Sequence, residues 1–367
     1  MKIAQLVTLG ISLLWVGGAQ AQTYAPFQAP GMFVTGIRSN STTTDDVVIT
    51  GTCSQQGEAA LYVGSLQAVA NSPVTSWTCF QPNIPNIPSQ MITGSTFYGP
   101  NTPTFDSSLG AGNVRAVGTY NTGNPKNLHG MMYTGPVTGC LNNSTSCWTQ
   151  LDATPLLHGD QQLENTVPHS TMGNLVVGNW NTQSKIGHAF IYDISAGTWL
   201  DINPTHSLSI TAYGIWQNSD GTYTIAGGFS DLNSLGIDEG YVVDYDPNNK
   251  IQPFSNLMKY QFNNQKALVS HFDGISVNPN GGYSLTGEYQ LNVKVKTIGG
   301  FFATVPRMPD GSLGQATWTA INFTYPGIKE VKLTTGNTVI DNYVLGVFNG
   351  VFVGSGRTTR SYVASVP

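Results

Sequence analysis

Three of the six histidines, His169, His206 and His271, each stand ahead of a β-rich run, and Asp273 follows two residues after His271. Imidazoles brought together at the mouths of neighbouring strands, with a carboxylate beside them, could bind a metal or relay a proton near neutral pH. On that reading His169, His271 and Asp273 are the catalytic candidates of a secreted hydrolase or lyase acting on a polysaccharide or a lactone. The plainer alternative has each His hydrogen-bonding nearby backbone at its strand's entrance. A second group, Asp231, Asn233, Asp238 and Glu239, gathers oxygen ligands in one loop and could hold a structural calcium. It departs from the helix-loop-helix calcium pattern at its fifth and twelfth positions, so a solvated loop is expected and no cofactor is assigned. Of the remaining acids, Glu330 shares with Asp273 a place on a strand expected to line a channel. Two carboxylates are few for a calcium that takes six to eight oxygens.

Other chemistries find less support. Five arginines, Arg38, Arg115, Arg307, Arg357 and Arg360, are scattered along the chain, and no Gly-x-Ser-x-Gly occurs in a strand-to-helix setting. With 15 Lys+Arg against 20 Asp+Glu the net charge is −5, and no basic patch is available to neutralise phosphates, which argues against nucleic acid as a partner. Charged residues make up 10% of the chain, well below the ~25% of an average soluble domain, a composition suited to export. Residues 1–21 carry Lys2, the apolar run Ile3 to Val16 and then Ala19-Gln20-Ala21, the pattern of a cleaved signal peptide. The expected mature chain starts at Gln22, has no integral membrane segment after signal cleavage, and is periplasmic or extracellular. Four cysteines in such a compartment predict two disulfides. Cys140 and Cys147 flank a short polar loop, which leaves Cys53 to pair with Cys79.

The elements that must position these residues recur. Six β-rich runs each end in Gly, one residue, and then usually an aromatic, as in Val114-Arg115-Ala116-Val117-Gly118-Thr119-Tyr120 and Tyr283-Ser284-Leu285-Thr286-Gly287-Glu288-Tyr289. The glycines stand at 51, 118, 178, 227, 287 and 346, at intervals of 67, 60, 49, 60 and 59 residues, long enough for four strands with their loops. A second strand follows each run, and a third element follows in the first five units, opening on Trp77, Trp148, Trp199, Ile251 and Trp318. The sixth unit lacks this last strand, and Thr23-Tyr24-Ala25-Pro26-Phe27 resembles it at the other end of the chain. The pattern predicts an all-β, six-bladed β-propeller closed by the N-terminal strand completing the last blade. Residues 22–30 supply the closing strand, and the blades fall near 31–84, 88–154, 163–204, 206–258, 267–324 and 326–367, all in one domain over 22–367. The recurrent Gly is expected to permit close sheet approach or a bulge, and the recurrent Trp to pack between blades.

In the third unit, Gly187-His188-Ala189-Phe190-Ile191-Tyr192-Asp193 followed by Trp199-Leu200-Asp201-Ile202 resembles the repeats of extracellular HAF-type proteins. Looser matches are His129-Gly130-Met131-Met132-Tyr133 and Gly240-Tyr241-Val242-Val243-Asp244-Tyr245. The resemblance implies export and a repeated β architecture and carries no common catalytic residue. With no converging set of carboxylates, arginines and nucleophile legible, the leading expectation is an exported, non-catalytic binding or scaffold propeller recognising a protein or glycan partner. The channel-site enzyme is the alternative, and a self-associating surface protein a third possibility.

Overall fold

A computed structural model describes residues 22–29, 31–41, 45–53, 57–124, 127–184, 186–204, 207–232, 237–249, 257–265, 267–291 and 297–367. The expected signal segment, His206, Asn233 and the strand expected from Ile251 to Phe254 lie outside the described residues. The described residues are all-β apart from single-turn 3-10 helices, and no helix among them is long and apolar enough to cross a membrane.

After β1 (Thr23–Pro26), the strands form antiparallel meanders in chain order. The first is β2 (Met32–Ser39), β3 (Asp46–Cys53), β4 (Glu58–Ser65) and β5 (Trp77–Phe80). The second is β6 (Gly94–Asn101), β7 (Asn113–Asn121), β8 (His129–Pro136) and β9 (Trp148–Gln150). The third is β10 (Leu163–Met172), β11 (Leu175–Thr182), β12 (Gly187–Asp193) and β13 (Thr198–Ile202), so the His-Ala-Phe segment is its third strand. Next come β14 (Ser207–Gln217), β15 (Tyr223–Asp231), β16 (Asp238–Tyr245) and β17 (Met258–Tyr260), then β18 (Val269–Val277), β19 (Tyr283–Gln290), β20 (Gly299–Val305) and β21 (Thr317–Ile321). A two-residue parallel contact, Asp238 with Val269 and Glu239 with Ser270, merges these two meanders into one eight-stranded sheet. The last sheet holds β22 (Ile328–Thr334), β23 (Thr338–Ile340), β24 (Tyr343–Phe352) and β25 (Ser355–Ser365). Its remaining strand is β1, antiparallel to β25 from Thr23↔Ser365 to Pro26↔Tyr362.

The first strand of each of the first five meanders carries a bulge opposite one recurrent glycine. Register skips Thr35 in β2, Tyr98 in β6, His169 in β10, Tyr213 in β14 and Asp273 in β18, and the residue before each skip pairs with Gly51, Gly118, Gly178, Gly227 and Gly287. In the last sheet, three residues between Thr334 and Thr338 face two between Leu345 and Phe348, again one residue in excess. A bulge turns the strand and presses its backbone toward the partner. That is the reason for the glycines: a Cβ would stand 1.9 Å from the Thr96 carbonyl oxygen at Gly118 and 1.9 Å from that of His271 at Gly287.

Apolar side chains fill the spaces between neighbouring sheets. Phe80, Phe97, Tyr133 and Trp148 pack between the first and second meanders, with Trp148 stacked on Phe97 at 6.0 Å. Trp318 stacks on Phe272 at 5.8 Å between strands β18 and β21. First strands also touch one another: Gly36 lies against the Tyr98 carbonyl, Gly99 against His169, Gly274 against Thr338, and Asn337 Nδ2 donates to the Val34 carbonyl at 2.7 Å. The disulfides are Cys53–Cys79, joining β3 to β5, and Cys140–Cys147, closing the β8–β9 loop.

Candidate active site

The bulges decide where the chemistry sits. Alternation along a strand sends successive side chains to opposite faces, and one inserted residue breaks that alternation and re-aims a side chain. Thr35, Tyr98, His169, Tyr213 and Asp273 are the inserted residues, and together with Asn337 and Glu288 they line a single cavity of about 160 Å3. His169, Asp273 and residues as far apart in sequence as Thr35 in β2 and Asn337 just before β23 thus face one space.

His271 stands behind Asp273 and holds the cluster together. Its Nδ1 lies 2.9 Å from Asp238 Oδ2 and its Nε2 3.3 Å from Asp273 Oδ1, so the ring bridges two carboxylates. Burial works against a charge on this imidazole, and the fields and hydrogen bonds of Asp273 and Asp238 override it, holding the ring well above its ordinary value. Burial pushes the Asp273 carboxyl up while the imidazolium pulls it down, and the result lies above the usual aspartate range. Glu288, on β19 opposite His271, is pushed up to about 7 by burial and then by the Asp273 charge, against the pull of His271.

His169 plays a different part. Its Nε2 meets Asn179 Oδ1 at 2.6 Å, its ring abuts Tyr213 at 4.5 Å and Tyr98 at 5.1 Å, and Tyr213 in turn lies 5.4 Å from the His271 ring. Burial, reinforced by the positive His271, lowers it to about 4, so it is a neutral imidazole at pH 7. His169 and Asp273 therefore share a cavity wall, His271 and Asp273 are in contact, and Tyr213 separates the two rings. Neither histidine heads its strand: both lie within β10 and β18.

The calcium-type loop resolves into separate ion pairs. Lys259 Nζ lies 2.6 Å from Asp231 Oδ2 and 3.5 Å from Glu239 Oε2, an ammonium between two acids of the group weighed as an alternative calcium site, while Asp238 turns to His271. Among the described residues, no group of three or more His, Cys, Asp and Glu is arranged to hold a metal ion. Glu330 is on the surface, 3.7 Å from Lys332 and 3.5 Å from Arg357, and Glu288 supplies the cavity's second carboxylate instead.

The expectation of a non-catalytic scaffold rested on finding no converging carboxylates, and this cluster overturns it. Thr35, Tyr98, His169, Tyr213 and Asp273 converge because each is a bulged residue, a feature that strict alternation hides, and Glu288 joins them through its pairing with His271, two residues before the Asp273 bulge. Sequence reading also passed over Glu288, Tyr98, Tyr213, Thr35 and Asn337. A signal for four of the bulged residues was present: Thr35-Gly36, Tyr98-Gly99, Tyr213-Gly214 and Asp273-Gly274 each put the bulged residue before a glycine that meets the next first strand.

No family model matches the chain, and no curated protein matches it. Among solved structures it is similar to an α-L-arabinanase from Penicillium chrysogenum complexed with arabinobiose, at 11% identity, 93% of this chain, 96% of that chain and a TM-score of 0.45. It is also similar to the polysaccharide lyase Uly1, at 10% identity, 97% and 94% coverage and a TM-score of 0.37. YCF48 from Cyanidioschyzon merolae aligns at 12% identity over 93% of this chain and 88% of that one, with a TM-score of 0.37. At these identities and TM-scores none of their activities passes to this chain.

Proposed function

We propose that this chain is an exported six-bladed propeller, closed by β1 on β25, that cleaves glycosidic bonds in a polysaccharide by acid–base catalysis at its channel mouth. The observation that carries the reading is the pairing of Glu288 with an Asp273–His271–Asp238 relay at one cavity. Glycoside hydrolysis asks for two carboxyl groups in unlike protonation states. Glu288, pushed up to about 7, keeps a proton to give to the leaving oxygen near neutral pH. Asp273, its charge held by the His271 imidazolium, takes a proton from the attacking water, and its raised value makes it a stronger base than a surface aspartate. Asp238 fixes the imidazole's orientation from the other side.

The walls suit a sugar. Tyr98 and Tyr213 supply aromatic wall against which the apolar side of a pyranose can pack, and Thr35 and Asn337 supply polar groups for its hydroxyls. The cavity is smaller than the ~300–1,000 Å3 of a drug-sized site, which favours entry of one sugar unit at a chain end.

Reducing-sugar release from a panel of polysaccharides and aryl glycosides tests the proposal. Glu288→Gln and Asp273→Asn should each lower kcat by at least about 100-fold, and wild-type activity should fall as pH rises through 7. Absence of release from every substrate, or a Glu288→Gln protein with wild-type turnover, would discard it.

A further inference from the structure

Three residues beyond the bulges, the first strands carry a second constellation. Thr35 is followed by Arg38, Tyr213 by Trp216 and Asp273 by Ser276, which places these side chains about 10 Å further along the channel at about 3.3 Å per residue. A neck of about 20 Å3 lined by both Asp273 and Arg38 separates the two levels. Past it lies a cavity of about 150 Å3, walled by Ile37, Phe105, Trp216, Val277, Val339 and Ile340, with Arg38, Ser276, Ser39 and Asp341 as the polar residues of its lining.

Arg38 is 6% exposed, yet none of its contacts is a carboxylate. It donates to the carbonyls of Ile37 at 3.0 Å and Ile215 at 2.8 Å and to Ser170 Oγ at 3.3 Å, and its guanidinium lies over Trp216 at 5.7 Å. Its Nε is buried without a partner, and so is Ser276 Oγ on the same cavity. A buried guanidinium whose direct contacts are all neutral is costly, because taking a charge from water is repaid best by an opposite charge in contact with it. Its pKa, lowered by burial to about 10, still leaves it charged at pH 7.

We infer that this far cavity is a binding site for a monocarboxylate with a benzene-sized apolar body, its carboxylate on Arg38 and Ser276 and its ring between Trp216, Phe105 and Val339. The size fits: a dry apolar cavity of ~150 Å3 accepts benzene. The wall excludes a bare inorganic anion, which would lose its hydration against six apolar side chains. Asp341, the one carboxylate on the lining, disfavours a dianion. A depression of about 870 Å3 shares Phe105, Trp216 and Val277 with the cavity and so lies against it.

Sodium benzoate titrated into the purified chain, with sodium chloride and sodium phosphate run at equal ionic strength, tests the site through tryptophan fluorescence and calorimetry. Saturable one-to-one binding is expected, weakened at least about tenfold in Arg38→Met and in Ser276→Val, because both remove a donor to a charged group. Benzoate should also raise the melting temperature of the wild type, and much less so that of Arg38→Met. If Arg38→Met fails to fold, Ser276→Val carries the comparison. No saturable benzoate binding, unchanged affinity in both variants, or equal competition by chloride would each overturn the inference. Glu288→Gln should bind benzoate like wild type, so the absence of glycan cleavage leaves this site standing.

Discussion

His169 and His271 flank Tyr213 and shift in opposite directions, because burial disfavours the charge on both and only His271 has two carboxylates to override it. For His169 the folded value, lowered to about 4 by burial, lies below the unfolded 6.5, so between these limits the unfolded chain binds the extra proton. Its contribution to stability is complete above pH 6.5 and is lost as pH falls toward 4, by at most about 3 kcal/mol at ~1.36 kcal/mol per unit. Urea unfolding of His169→Gln should therefore be flatter with pH than wild type across this window, and an equally steep profile would assign the acid sensitivity elsewhere. Of this site, His271 and Asp273 were singled out as close neighbours in sequence, and their contact stands beside the bulge that re-aims Asp273. Glu288 was not, since its link to His271 is a cross-strand pairing fixed only by register. Asp238 was read in a loop expected to be solvated, its neighbours in sequence having hidden its partner in space.

At the scale of the element, the six recurrent glycines were visible as a repeat, and their intervals placed the second and third strands of each meander close to where they lie. The glycines themselves suggested close sheet approach or a bulge; what the repeat could not reveal was which residue of the facing strand is the inserted one, because an insertion leaves no period of its own. Gly118 illustrates the packing that results: an added Cβ would meet the Thr96 carbonyl at 1.9 Å and the Phe97 Cα at 2.8 Å, both backbone and neither free to rotate away. Gly118→Ala should cost about 1–3 kcal/mol or more, in the range of overpacked cores. Gly356→Ala in β25, with no atom within 4 Å of the added Cβ, should stay within ~0.5 kcal/mol of wild type. Equal stabilities of the two variants by urea denaturation would mean that the glycines are not what admits the bulges.

For the whole molecule, the contact between chain ends is the feature with the widest reach. β1 pairs with β25, Phe27 N donates to the Ser361 carbonyl at 2.9 Å, and the Phe27 ring, 1% exposed, lies 6.2 Å from Trp77 of the first meander. One residue thereby joins the last sheet to the first. In a sequence of meanders packed face to face, each sheet needs two neighbours to bury its faces, and the first and last have only each other. The resemblance of residues 23–27 to the strand opening on Trp77 made this pairing readable, since a strand lacking at one end had a counterpart at the other. Phe27→Ala should remove about 3–5 kcal/mol, as for other buried Phe truncations. If the sheets form one cooperative ring, that loss moves the whole transition: far-ultraviolet circular dichroism and tryptophan fluorescence should shift together to lower urea. A loss confined to one probe, or one below about 1 kcal/mol, would mean that the ends pack locally and the ring does not depend on their union.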